Sequence, residues 1–334
     1  MAKIRRLTVG ASMLTVAALN AAAAHAQTGA KFFKGKTITY IVATAPGGGY
    51  DTYGRLVTEY MQKNLPGSTF VVKNVPGAGH IVGANTIYAS KPDGLTIGTF
   101  NTGLIYNQLI NADGVKFDLT KMSWVGKAAS EPRIFMIAEQ QPIKTFQELL
   151  DSKTTLNFAT TGIGSANYVE ISSLTNILKL PVKVLTGYNG NEDQLAMRRG
   201  EAAGTMGSRS SFEQFVKNGY GRFVAQIGGK QTDLPQVRDM IKDPKGLTFV
   251  ALIQSQGDIA RLTAGPPGIP ADRMEALRDA YKKAMEDPEL KAKADKLNIP
   301  IDPAYGDDVL KLVKDALNQP PEVIAVVKSA LEAK

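Results

Sequence analysis

Ala45-Pro-Gly-Gly-Gly-Tyr-Asp51 places three consecutive glycines where an apolar run, Thr37 to Thr44, gives way to residues at helical spacing: Tyr53, Leu56, Val57, Tyr60 and Met61. Glycines at a strand-to-helix turn let the backbone approach a ligand closely. The N–H groups and partial positive charge of the following helix start favour an anion there. The same turn also serves as a tight βα connection that binds nothing, and both readings stand at this point. It carries neither Gly-Lys-Ser/Thr nor G-x-G-x-x-G, so nucleotide binding does not follow. Similar backbone donors and small hydroxyls recur downstream at Thr102, Gly103, Thr161, Gly164, Ser165, Asn189 and Ser208. Such groups suit reversible capture of a carboxylate. Each charge-assisted hydrogen bond contributes ~1.5–3 kcal/mol, so a few of them outweigh the cost of association.

Catalytic raw material is thin. Histidine occurs only at positions 25 and 80, and there is no cysteine. A Ser-His nucleophile needs His80 as its base, and no G-x-S-x-G elbow is present. A zinc site needs three or four His, Cys or carboxylate ligands. Acidic pairs are plentiful, but nothing singles one out. His80 reads either as a polar residue at a helix start or as a ligand contact. No catalytic residue, metal or cofactor is assigned.

The elements that must position these groups alternate along the chain, which predicts an α/β fold with mainly parallel sheets. Strand patterns at Thr37–Thr44, Thr69–Asn74 and Leu95–Phe100 each end in a small polar loop and a helix start. Arg133–Ala138, Leu156–Thr161, Val182–Thr186 and Ala203–Met206 form a second set, also ending in glycine-containing loops. Ligands in open α/β sheets bind outside the carboxyl ends of the strands. Thr145 and Glu148 have capping-box spacing. Asp272 is placed to cap one C-terminal helix, Asp287-Pro288 starts another, and Pro320-Pro321 a last one.

Lys3, Arg5 and Arg6 precede an apolar, small-residue stretch ending in Ala24-His25-Ala26, the pattern of a cleaved export signal with a mature start at Gln27. No later stretch approaches the ~20 consecutive apolar residues of a spanning helix. Without cysteine there is neither a disulfide nor a site for a lipid anchor. A free periplasmic protein is therefore expected. Cleavage removes those three cations and no acid, lowering the net charge from +8 to about +5. That charge is too small and scattered for nucleic acid.

The segments Ala45–Arg55 (APGGGYDTYGR), Asn74–Gly79 (NVPGAG), Lys91–Gly98 (KPDGLTIG), Thr160–Ser165 (TTGIGS), Gly187–Asn191 (GYNGN), Gly265–Ala271 (GPPGIPA) and Met285–Leu290 (MEDPEL) together resemble the Bug family. These are the periplasmic solute-binding proteins of tripartite tricarboxylate transporters. The resemblance spans nearly the whole chain after residue 26, in order. It implies a two-lobed Venus flytrap, each lobe a mostly parallel sheet flanked by helices. Lobe one would be residues 27–130 plus 251–334, and lobe two residues 131–250. It also implies a monomeric receptor that captures a small carboxylate in the cleft and delivers it to integral-membrane permease subunits. Pro46, Gly47, Gly48, Gly49, Tyr50 and Asp51 would hold the carboxylate from one side, with Asp51 more a helix cap than a contact. Thr160, Thr161, Gly162, Gly164 and Ser165 would hold it from the other. Tyr188, Asn189, Gly190, Ser208 and Arg209 would close the site. The chain departs from the family pattern at Gly-Ala-Gly-His80 and at Arg209. Arg209 reads either as a bidentate clamp on a second carboxylate, favouring a dicarboxylate, or as a surface arginine. Two other functions stand beside this one: ligand presentation to a membrane sensor, and an exported hydrolase using carboxylates and His80.

Overall fold

The computed structural model describes residues 29–229 and 234–332. The export signal read at residues 1–26 lies outside them. The elements run α1 (29–33), β1 (Thr37–Val42), α2 (Gly49–Asn64), β2 (Thr69–Asn74), α3 (Ile81–Tyr88), β3 (Thr96–Thr99), α4 (Leu104–Leu109) and β4 (Ser123–Lys127). The chain then passes to β5 (Arg133–Ala138), α5 (Phe146–Asp151), β6 (Leu156–Ala159), α6 (Ala166–Leu178), β7 (Val182–Leu185), α7 (Glu192–Arg198), β8 (Gly204–Ser208), α8 (Glu213–Lys217), β9 (Gly221–Ile227) and α9 (Pro244–Asp258). It returns through β10 (Leu262–Gly265), α10 (Ala271–Glu286), α11 (Pro288–Leu297), β11 (Ala304–Tyr305), α12 (Gly306–Leu317) and α13 (Pro321–Glu332).

These strands form two sheets, in the orders β11-β4-β10-β3-β1-β2 and β7-β6-β8-β5-β9. The two-sheet α/β fold agrees with the sequence reading, but the strand directions are mixed rather than mainly parallel. β1 is parallel to β2 and β3, whereas β10 runs antiparallel to β3 and β4, and β11 antiparallel to β4. β6 is parallel to β7 and β8, while β5 is antiparallel to β8 and β9. The antiparallel strands flank the passages between sheets: a short one from β4 to β5, and a longer one from β9 to β10 that contains α9. With β10 the chain returns to the first sheet, where α10 packs on α2 and β4. The last helix, α13, packs on α6 and α9, elements that accompany the second sheet.

Local signals act as expected at several ends. The Thr145 hydroxyl and Glu148 carboxylate form a reciprocal capping box on α5, and Asp287 caps α11 ahead of Pro288. Asp272 lies inside the first turn of α10, whose cap position is Pro270. One apolar cluster runs from Phe100 and Trp124 beside the first sheet to Phe135 and Phe158 in the second. Apolar packing is therefore continuous behind the cleft where the sheets' loops face each other.

Candidate functional site

The glycine turn after β1 is fixed from below by Asp51. Its carboxylate accepts from Gly47 N–H (3.1 Å), Asn74 Nδ2 (2.9 Å) and Arg55 Nε (3.0 Å). Burial alone would raise the pKa of Asp51, but these donors outweigh it and hold the acid below its ordinary value. Asp51 thus braces the loop from the first turn of α2, and it does not line the cavity. Gly47 needs its freedom, with φ at +89°. The first-turn amides of α2 have no intrahelical acceptor, and Gly48, Gly49 and Tyr50 line the cleft.

Across the cleft stand Asn189 and Gly190. A Cβ on Gly48 would lie 3.1 Å from Gly190 O, and one on Gly190 would lie 2.7 Å from Pro46 O. The two lobes approach closely here, and the cavity between them is small, about 80 Å³. Thr161 and Ser208 also line it, as does His80. The His80 Nδ1 lies 2.8 Å from Ala43 O. A carbonyl only accepts, so Nδ1 carries the proton. Burial pushes the pKa of His80 down, and the ring is neutral.

Other sequence-predicted residues support the site without lining it. Thr102 N–H donates to Tyr50 Oη at 3.4 Å, and Gly103 packs against the Ala166 backbone. Thr160 Oγ1 donates to Leu185 O, and Ser165 Oγ donates to Gly162 O at 2.6 Å. Gly164 packs on Asn107, whose Nδ2 donates to Gly164 O at 2.7 Å. Gly162 and Gly164 line a neighbouring groove shared with Thr161 and His80. Tyr188 packs on the cluster of Ala196 and Met197. Arg209 points elsewhere: its Nε donates to Glu213 Oε1 at 2.6 Å, its guanidinium lies 4.9 Å from the Phe223 ring centre, and it lines an outer groove with Pro132 and Asp258.

Sequence reasoning missed the charged groups of the cleft. Arg133, the first residue of β5, is buried and donates from Nε to Glu170 Oε2 (2.9 Å) and from Nη1 to Ser208 Oγ (3.2 Å). Arg261, just before β10, donates from Nε to Glu131 Oε1 (2.9 Å) and from Nη2 to the hydroxyls of Ser210 (3.0 Å) and Ser211 (3.1 Å). Its guanidinium stacks 4.5 Å from the Tyr50 ring centre, and its backbone adopts a left-handed φ of 61°. Its Nη1 is buried without a hydrogen-bond partner. Asp193, in the first turn of α7, is buried, and its pKa is pushed up to about 6 by that burial. Asn101, Asn167 and Gln194 complete the polar lining. The one available signal was a lone charge heading an otherwise apolar strand, as in Arg133-Ile-Phe-Met-Ile-Ala138. Among the described residues no group of His and acidic side chains could hold a metal ion.

The model of the tripartite tricarboxylate transporter family receptor matches residues 54–328. The chain belongs to this family. A relative from Bordetella pertussis, a UPF0065 protein, is 25% identical over 327 residues, covering 93% of this chain and 94% of its own. Among solved structures, BugD is 19% identical with a TM-score of 0.72, covering 88% of this chain and 97% of its own. MatC from Rhodopseudomonas palustris, solved with bound malate, is 21% identical with a TM-score of 0.72, covering 87% and 99%. These neighbours carry the two-lobed periplasmic-binding-protein fold. Family members are solute-binding receptors and not enzymes, which removes the hydrolase reading of His80. No helix among the described residues is long and apolar enough to cross a membrane.

Proposed function

We propose that this receptor is exported to the periplasm by a cleaved signal. There it captures a small carboxylate in the cleft between its two sheets and, as a monomer, delivers it to the membrane permease subunits of a tripartite transporter. One observation carries the ligand class: the start of α2 at Gly48, Gly49 and Tyr50 and the buried Arg261, whose Nη1 has no hydrogen-bond partner, line one cavity walled by both lobes. A helix start and a guanidinium side by side attract an anion. Malate bound in MatC, and adipate bound in a second R. palustris protein of the same fold, support a carboxylate. The first-loop contacts are Gly48, Gly49 and Tyr50, and the facing contacts are Thr161, Asn189, Gly190 and Ser208. Asp51, Thr102, Gly103, Thr160 and Ser165 hold these in place. Opening moves the second sheet, with α6, α9 and α13 packed on it, against the first about the passages between sheets.

A thermal-shift screen of the mature protein against mono-, di- and tricarboxylates, amino acids, sugars and nucleotides tests this. A ligand at a hundred times its Kd adds about 2.7 kcal/mol of apparent stability. Shifts confined to carboxylic acids are expected. Shifts with sugars or nucleotides alone would contradict the proposal.

A further inference from the structure

Two side chains that line the cavity keep hydrogen-bonding capacity that the protein does not use, and they are of opposite kinds. The Arg261 Nη1 is a buried donor with no acceptor, although the Nε and Nη2 of the same guanidinium are committed to Glu131, Ser210 and Ser211. Asp193 is a buried acceptor with no cation: among the described residues it enters no ion pair. Its oxygens accept only from Gln194 N–H at 2.8 Å and Thr205 Oγ1 at 3.3 Å. The other charges near the cavity are matched, since Arg133 is held by Glu170 and Glu131 by Arg261. Arg261 comes from the lead into β10 in the first sheet and Asp193 from α7 beside the second, and both line the one cavity.

An unmatched buried donor and an unmatched buried carboxylate are each unfavourable in the empty protein. Both become favourable when a ligand supplies the missing partner. We propose that the ligand presents a carboxylate to Arg261 Nη1 and, on the same small skeleton, a hydrogen-bond donor to Asp193. It is then an amino- or hydroxy-substituted carboxylic acid rather than a plain one. This rests on the carboxylate reading of the same cleft. A plain dicarboxylate would set its second anion against Asp193 with no donor between them, and like charges repel strongly in a water-poor cavity. The cavity volume of about 80 Å³ favours a short skeleton.

Calorimetric titration with matched acids differing at one carbon tests this. The sets are propionate, lactate and alanine; succinate, malate and aspartate; and glutarate, 2-hydroxyglutarate and glutamate. In the set that binds, the donor-bearing acid is expected to bind roughly tenfold or more tighter than its plain parent, the worth of one charge-assisted hydrogen bond. In Asp193→Asn that acid should weaken by about tenfold while the plain parent binds as well or better, because the like charge is gone. A purely structural role for Asp193 would weaken every member alike. Equal affinities within each set, or equal losses in the variant, would overturn the inference while leaving carboxylate capture intact. Binding of none of the nine acids would overturn the carboxylate reading itself and the inference with it.

Discussion

Gly48 and Gly190 meet across the cleft, so that a Cβ added to Gly48 would stand 3.1 Å from the Gly190 carbonyl oxygen. Gly48 itself sits at φ −91°, ψ 175°, extended backbone open to any residue. Its requirement for glycine therefore comes from the facing lobe and not from its own conformation. Gly48→Val should fold normally yet fail to close, with ligand affinity falling by roughly tenfold or more. Titration of the variant, with a melting temperature near that of the wild type, checks this. Undiminished binding would remove the first loop from the site.

Arg209 and Arg261 separate the arginine that reads ligand from one that does not. Arg209 is engaged by Glu213 and Phe223 outside the cavity, so Arg209→Ala should change affinity by less than about twofold for mono- and dicarboxylates alike. Arg261→Lys keeps the charge but loses the planar fork. It should weaken carboxylate binding by roughly tenfold or more, leaving Glu131 poorly matched. Titration of both variants with the same acid decides the assignment.

The Arg133–Glu170 pair is fully buried beside the cavity, which makes it a stability test as well. Arg133→Met should cost about 3–5 kcal/mol by stranding the Glu170 charge. Combined with Glu170→Met, most of that loss should return, measured by urea unfolding. Equal losses in the single and double variants would mean the pair is not the source.

Much of the fold was legible because β1, β2, β5, β6 and β7 are rich in β-branched or aromatic residues and end at glycine or polar turns. Four strands were missed for physical reasons. Leu262–Gly265 and Ser123–Lys127 are short and carry glycine, Ala304–Tyr305 has two residues, and Gly221–Ile227 opens with glycine and arginine. Backbone donors of the cleft could be read because a Gly-rich βα turn has a local signature. Arg133 and Arg261 could not, since their partners lie 37 and 130 residues away in sequence. Asp193 reads as an ordinary first-turn acid of a surface helix until the fold buries it.

The burial of Asp193 makes stability depend on pH in a defined direction. Its pKa rises from an ordinary 3.8 in the unfolded chain to about 6 in the native protein. Between these values the unfolded state has lost a proton that the native state still holds, so stability falls as pH rises from about 4 to about 6 and is flat above. The whole change is on the order of 2–3 kcal/mol. Asp193→Asn lacks this contribution. Its stability relative to the wild type should therefore grow over that window, while His80 and the other titrating groups cancel in the difference. Melting curves of both proteins from pH 4 to 7.5 check it, and parallel curves would contradict the buried-carboxylate account.

Carboxylate binding in the cavity between the Gly48 and Gly190 loops can be seen outright in a crystal structure with the strongest acid from the stability screen. A carboxylate is expected within hydrogen-bonding distance of the first-turn amides of α2 and of Arg261 Nη1, under lobes closed across Gly48 and Gly190. A ligand seated in the outer groove beside Arg209, or an acid contacting neither α2 nor Arg261, would contradict it.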